Sequence, residues 1–551
     1  MISRLYAAVL TALAALSTTG CGSEHPDDGS AASSSSLSSV RAQPADQFVD
    51  SIGVVTHSTY PAYRAGRPLM QQRLLESGVR HIRDHWGPAS ANDTVPFLRE
   101  LNRLGGIKVT MVATPRTNAT VAQLQAMYRD SMAGLIDGVE GPNEWNLEGG
   151  ANWAQELRDY QPALWRQLKS DPATASIPVL SPSIGKSFDR SYFAALGDLS
   201  AYADYGNLHD YPGGGMMSDA IIDRDYSNQA LVTGTKPLIA TETGYSTDLT
   251  SPDAKHPPLP PAQAGILVPR LYLEHFRRGF LRTFHYELLN EHPDNRFESN
   301  FGLLNNDYTP KPSFTSIKNL IALLADPGAA FTPQSLAYEL TGVTPETRSL
   351  LLQKRDGTFY LAVWQQVEIW DKKAKVALNP PAAPLQLTLA QPTEVNAFYP
   401  CRGTAAHAQG NVRQVDFLAN GEVIVLQLRP SLSVGPDLVV THLGFQPQAP
   451  LVGQPVTFSA VIKNVGTQPT PAGVIHGVSF RVDGAAVSWS DDSTASLAPG
   501  EVRTVTANGG PSGAATWSRT LGAHTLAAVV DDVRRIAESN EGNNQYLSVM
   551  H

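Results

Sequence analysis

Two glutamates stand directly after apolar runs in the first half of the chain: Glu144 in Gly141-Pro142-Asn143-Glu144, and Glu242 in Ala240-Thr241-Glu242-Thr243-Gly244-Tyr245. Two carboxyl groups that face one another are the equipment for cleaving a glycosidic bond. One protonates the leaving oxygen while the other attacks or stabilises the anomeric carbon. Other polar and aromatic residues collect where neighbouring apolar runs end: His57, Arg83-Asp84-His85-Trp86, Asn143, Trp145-Asn146, His209-Asp210-Tyr211 and Tyr286-Glu287. The aromatic faces of Trp86 and Trp145 suit stacking on sugar C–H surfaces, with core packing as the alternative. Glu148, Glu287 and Glu291 either hold sugar hydroxyls or serve supporting roles, Asp84 and His85 are equally open, and Arg83 is either a structural ion-pair partner or a support for a catalytic carboxylate. His57, His81, His85 and His209 lack a compact ligand spacing, so neither a metal nor another cofactor is expected at these positions.

The elements that must position these residues follow from periodicity. From residue 50 to about 326, short apolar runs alternate with amphipathic helical stretches. Candidate strands cover 52–57, 79–86, 107–113, 135–144, 177–183, 205–211, 237–245 and 281–288, and helical patterns between them include 68–76, 95–104, 119–130, 152–169 and 263–278. Eight strands alternating with helices predict a (β/α)₈ barrel over 48–328, whose reactive residues sit at the C-terminal strand ends. A doubly wound sheet is disfavoured, because no Gly-x-Gly-x-x-Gly turn follows the first strand.

Asn143-Glu144 ending the fourth strand and Glu242 ending the seventh resemble the signature of glycoside hydrolase clan A, the "4/7" superfamily of retaining glycosidases on (β/α)₈ barrels. The resemblance covers residues 50–326. It implies Glu144 as general acid/base and Glu242 as nucleophile. It further implies Arg83 as support of the nucleophile, Asn143 as the partner of the sugar 2-hydroxyl, and His209 and Tyr211 as the strand-six His-x-Tyr pair. At strand eight, where many members place a Trp under the sugar ring, this chain has Tyr286. A retaining mechanism would hold the carboxyl groups about 5–5.5 Å apart. Glu144 would be protonated at rest, its acidity weakened by Trp145 and by the charge of Glu242, while Arg83 keeps Glu242 ionised.

After Asp326-Pro327 the texture changes. Residues 349–354 and 358–364 around Asp356-Gly357 read as a β-hairpin and 423–428 as a late strand, so 329–432 is expected to be an accessory β-sandwich. Trp364 and Trp370 either bind sugar there or pack in its core. From Pro436 onward, Lys463-Asn464-Val465-Gly466, Val482-Asp483-Gly484, Leu497-Ala498-Pro499-Gly500 and Glu538-Ser539-Asn540-Glu541-Gly542-Asn543-Asn544 resemble the bacterial cell-adhesion-related domain (CARDB), an immunoglobulin-like sandwich over 436–551. Asp531, Asp532, Glu538, Asn540 and Glu541 offer oxygen ligands for calcium, the alternative being a solvated turn-rich edge.

The remaining features concern delivery. Arg4 and the apolar run 5–16 form a signal-peptide pattern within 1–20, too short for the roughly 20 residues that span a bilayer. Gly20-Cys21 resembles the lipobox of bacterial lipoproteins, which implies lipid attachment at Cys21, with ordinary secretion as the alternative. Residues 21–47, with Ser33-Ser34-Ser35-Ser36, read as a Ser-rich disordered tether. The protein is therefore expected to be exported, either to the bacterial cell envelope or to the medium. A chain of 551 residues with two cysteines excludes the small disulfide-framework class, and 42 Lys plus Arg against 51 Asp plus Glu, net −9, argues against nucleic acid. The expected partner is a poly- or oligosaccharide, with cell-surface or glycan contact through the C-terminal unit. The alternatives are a noncatalytic carbohydrate-binding or adhesion protein, and a transglycosylase using the same two glutamates.

Overall fold

The computed structural model describes residues 37–251, 256–430 and 435–550. The signal segment, Cys21 and the serine run lie outside the described residues. Eight parallel strands form one sheet: β1 Ile52–Val55, β2 His81–Asp84, β3 Lys108–Val112, β4 Ile136–Glu140, β5 Val179–Leu180, β6 Gly206–His209, β7 Leu238–Thr243 and β8 Arg282–His285. Neighbours in sequence are neighbours in the sheet, β8 pairs with β1 in the register Thr283↔Ile52, and a parallel bridge Leu180↔Tyr205 joins β5 to β6 and closes the barrel. The interior holds Val55, Leu180, Ile239 and Phe284, all buried. Gly53 makes room for this packing, since a Cβ there would come within 2.5 Å of the Phe284 ring.

The strands are shorter than the apolar runs that announce them. The run 135–144 is paired only over Ile136–Glu140, and 177–183 only over Val179–Leu180. Ladder pairing of β4 ends at Glu140, so the residues beyond it, Asn143 and Glu144 among them, are free of strand pairing and available to a cleft.

The accessory unit is an eight-stranded sheet in which the long strand Ala383–Phe398 pairs first with Ser335–Thr341 and then, after a register break, with Ile424–Pro430. One face covers its own core around Leu361, Leu387 and Leu426; the other joins the barrel core through Leu352, Tyr360 and Trp364. Trp364 is fully buried and donates to Glu274 Oε1 and Gln366 Oε1 at 3.1 Å, and Trp370 donates to the carbonyl of Pro258 at 3.2 Å. Both tryptophans are packing residues.

The tether reading needs correction at its C-terminal end. Ser39–Arg41 pairs antiparallel with Ser335–Thr341 and Gln43–Pro44 pairs parallel with Thr347–Gln353, so these residues complete both edges of the accessory sheet. The helix Ala45–Asp50 follows, with Phe48 and Val49 fully buried. Nothing in local composition reveals this pairing, because the partners lie about 300 residues away and supply the open sheet edges.

The C-terminal unit has two four-stranded antiparallel sheets, one containing Leu438–Gln446, Pro455–Asn464 and Val502–Thr506, the other Val478–Val482, Ala485–Ser490, His524–Val530 and Gln545–Met550. Strict alternation along Pro455–Asn464 buries Val456, Phe458, Ala460 and Ile462, and Phe458 stacks on Phe480 of the facing sheet at 5.8 Å. Of the residues considered for calcium, Asp531, Glu538, Asn540 and Glu541 also accept hydrogen bonds within this unit. Asp531 accepts from the amides of Arg535 and Ile536 at 2.8 and 2.9 Å, Asn540 from Gly542 at 3.0 Å, and Glu541 from Glu538 at 3.1 Å. Glu538 accepts from the Leu438 amide and from Asn544, and burial raises its carboxyl to about 7. Among the described residues, two trios of His and Glu side chains are spaced to hold one cation, and both lie in the barrel.

Candidate active site

The site is built around Arg83, buried at the end of β2. Its guanidinium donates to both oxygens of Glu140 at 2.8 and 2.5 Å, to Glu242 Oε1 at 2.5 Å and to Asn143 Oδ1 at 2.6 Å. Burial alone would weaken its hold on the proton, but the charges of Glu140 and Glu242 outweigh this and raise its pKa further. Glu242, at the end of β7, accepts a second hydrogen bond from the Tyr211 hydroxyl at 2.9 Å. Burial would raise its carboxyl; the charges of His209 and Arg83 and the hydrogen bonds from Tyr211 and Arg83 prevail and hold it at about 2. Tyr211 keeps its proton, since burial and the neighbouring Glu242 charge push its pKa well above the ordinary phenol value.

Glu144 opens the short helix Trp145–Glu148 from a left-handed backbone conformation, φ 43° and ψ 37°. A non-glycine residue held there is strained by about 1–3 kcal/mol and is found where surrounding structure imposes it, often at functional sites. The close approach of Gly185 is part of that surrounding, for a Cβ at this position would lie 3.0 Å from the Glu144 carboxyl. His209 Nδ1 meets Glu144 Oε1 at 2.8 Å and lies 3.5 Å from Glu242 Oε2. Its Nε2 meets Thr241 Oγ1 at 3.0 Å, and Thr241 donates onward to Asn207 Oδ1 at 2.6 Å. Thr241 therefore accepts from Nε2–H, and the Nδ1···Oε1 contact holds one proton between His209 and Glu144. One ligand-capable atom from each of Glu144, His209 and Glu242 lies within 4.8 Å of the others.

Arg83, Asn143, Glu144 and Glu242 line a cleft of about 310 Å³ together with His57, Tyr60, His85, Arg116, Glu148, Tyr286, Glu291 and Glu298. His57 Nδ1 contacts Glu291 and lies 3.3 Å from Glu287 Oε2, while Tyr63 donates to the same Glu287 oxygen at 3.1 Å. Burial would lower the His57 pKa, but Glu287 and Glu291 raise it well above the usual value; burial raises the Glu287 carboxyl to about 7 against the pull of His57. Tyr60 stacks on His57 at 4.6 Å, and Tyr286 packs edge-on to His57 and Phe301 at 5.7 and 5.6 Å. His57, Glu287 and Glu291 form a second trio spaced to hold a cation. In both trios the histidine already bonds to a carboxylate, and in the first Glu242 is also bound by Arg83 and Tyr211, so a cation would have to displace these partners.

Of the residues singled out in the sequence, Glu144, Glu242, Asn143, Arg83, His209, Tyr211, Tyr286 and His57 converge. Two do not. Trp86 is 3 % exposed in the barrel core: side chains alternate along an extended chain, so Arg83 and His85 face the cleft while Trp86 faces away. Trp145 donates to Glu156 Oε2 at 2.5 Å and packs near Leu157, Ile184 and Phe193, because the left-handed turn at Glu144 starts a short helix whose first residue faces away from the cleft while Glu148 at its end lines it. It supplies no apolar wall for Glu144. Asp84 ties the segment after β1 to β2, accepting from Thr56 at 2.9 Å and from the Ser58 amide at 3.0 Å. Glu140, Tyr60, Arg116 and Glu298 were missed. For Glu140 a signal existed: a carboxylate inside a buried strand needs a cation, and Arg83 is the one at hand.

Converting Tyr211 to Phe removes one charge-assisted hydrogen bond from Glu242, about 1.5–3 kcal/mol. The Glu242 pKa then rises, so the acid limb of any Glu242-dependent activity moves to higher pH, and kcat/KM at neutral pH falls by roughly 10–100-fold. A pH–rate profile of wild type and Y211F measures both.

Residues 435–548 match the CARDB family model, in agreement with the resemblance read from the C-terminal pattern. No curated protein matches the sequence. Among solved structures, the chain is similar to a family 39 glycoside hydrolase from the gut symbiont Bacteroides cellulosilyticus WH2 (16 % identity, 70 % of this chain and 81 % of that one, TM-score 0.48). It is also similar to a family 39 enzyme from Xanthomonas axonopodis pv. citri (16 % identity, 71 % and 96 %, TM-score 0.47). A third is a family 39 β-xylosidase from Caulobacter crescentus (15 % identity, 71 % and 98 %, TM-score 0.45).

Proposed function

We propose that this protein is a retaining glycoside hydrolase acting on O-glycosidic bonds of a poly- or oligosaccharide, with Glu242 as nucleophile and Glu144 as acid/base. The observation that carries the reading is the approach of Glu144 and Glu242 to within 4.8 Å around His209, with Arg83 and Tyr211 both bound to Glu242. Glu242 is ionised and too close to Glu144 to leave room for a water between them, as inversion would need. It attacks the anomeric carbon and forms a glycosyl-enzyme ester. The proton shared by Glu144 and His209 goes to the leaving oxygen. Ester formation removes the negative charge beside His209, and Glu144, now a carboxylate, takes a proton from the water that resolves the intermediate. Asn143 is fixed by Arg83 beside the pair, placed to meet the sugar 2-hydroxyl.

The signal pattern and Gly20-Cys21 support export with lipid attachment at the cell envelope, or release to the medium. The CARDB unit then serves to present the barrel to a surface or glycan. The reading is tested by proton NMR of the first-formed anomer on a panel of aryl glycosides and oligosaccharides: retention is expected, and an inverted first product would refute the double displacement.

A further inference from the structure

Resting on the glycosidase reading and deepening it, we infer that the cleft takes sugar units bearing only hydroxyl groups and excludes uronic acids and sulfated sugars. Among the described residues, every cation lining the cleft is already matched to a carboxylate. Arg83 is engaged by Glu140, Glu242 and Asn143; Arg116 at the rim is paired with Glu148; His57 lies between Glu287 and Glu291. His85 carries no charge, since burial together with nearby His57, Arg83 and Arg116 lowers its pKa to about 3. Beside the neutral side chains of Tyr60, Thr114, Asn143 and Tyr286, the charged groups that the wall adds beyond these cations are the carboxylates of Glu144, Glu148, Glu242, Glu291 and Glu298. A sugar hydroxyl can donate to such a wall. A sugar carboxylate or sulfate can only accept, and would enter against like charge with no unmatched cation among the described residues to receive it. The aromatic faces of Tyr60 and Tyr286 complement this, offering contact to uncharged C–H surfaces.

The test compares aryl glucosides with glucuronides, and galactosides with galacturonides, carrying the same leaving group. The neutral member is expected to be preferred by about 100-fold or more in kcat/KM, as like-charge juxtaposition costs several kcal/mol. Equal or greater activity on the uronides would overturn the inference while leaving the glycosidase reading intact. Inactivity on both would count against that reading instead. Calorimetric binding of neutral gluco- and xylo-oligosaccharides against oligogalacturonides then decides the charge question by itself: selective binding of the neutral set supports it, and equal or tighter binding of the uronates overturns it. The variant E148Q releases Arg116 and is expected to shift the uronide-to-neutral ratio about tenfold toward the uronide, a factor of ten being 1.4 kcal/mol. An unchanged ratio would overturn the pairing on which the exclusion rests.

Discussion

On the proposed double displacement, replacing Glu242 by Gln is expected to lower kcat by roughly 10⁴-fold or more on every substrate, because it removes the group that forms the covalent intermediate. Gln keeps the volume and can still meet Arg83 and Tyr211, so the fold survives and the loss reports chemistry. E144Q should behave differently. Protonation of the leaving oxygen contributes roughly 10²–10⁴-fold, so the first step slows severely for sugar leaving groups and little for an acidic phenol, which departs without help. The water step still lacks its base. A glycosyl-enzyme should therefore accumulate in E144Q with an activated aryl glycoside, visible as a burst of phenol and by intact-protein mass spectrometry. The contrast separates the two glutamates, and product release untouched by both substitutions would end the catalytic assignment.

Replacing Arg83 by Met is expected to cost about 3–5 kcal/mol of folding stability, the range for removing one partner of a buried ion pair. It leaves Glu140 and Glu242, both buried, facing one another without their cation. The pH dependence has a definite sign. In the wild type the Glu242 carboxyl is held at about 2, below the ordinary 4.5, so its contribution is fully present above about pH 4.5 and is lost as the pH falls toward 2. In R83M the same carboxyls are raised and are relieved by protonation. The gap between wild type and variant is therefore widest near neutrality and narrows in acid, which urea titrations at several pH values would show. Adding E140Q should recover much of the stability by removing one orphaned charge, yet not the activity, since Glu242 still lacks Arg83. Equal stability of R83M and wild type at pH 7 would contradict the central place given to this arginine.

How far the site was legible follows from the type of signal each residue carries. Glu144, Glu242, Arg83, His209 and Tyr211 each end an apolar run, and a closed parallel barrel brings all its strand ends to one rim. Their convergence could be read without coordinates because topology, not fine packing, produces it. The C-terminal unit was legible for a similar reason: the alternation along Pro455–Asn464 and its turn motifs are local. Trp86 and Trp145 were misplaced because proximity in sequence to a strand end does not say which way a side chain points. Alternation at β2 and the left-handed turn at Glu144 decided that.

Pairings over long sequence distances belong to the tertiary structure alone. The bond from Arg83 to Glu140 spans 57 residues, that from His57 to Glu291 spans 234, and the pairing of Ser39–Arg41 with the accessory sheet is longer still. Periodicity and composition are properties of short windows, and they determined here the kinds of element, their order and the residues at their ends. Which charges neutralise one another, whether a tryptophan faces a cleft or a core, and where a polar segment finds a sheet edge depend on distances set only when the barrel closes and its units dock. Electrostatics and packing act through those distances. The sequence by itself therefore determined which carboxylates end the fourth and seventh apolar runs, and the tertiary structure decided that Glu242 is held by Arg83 and Tyr211 while Glu144 meets His209.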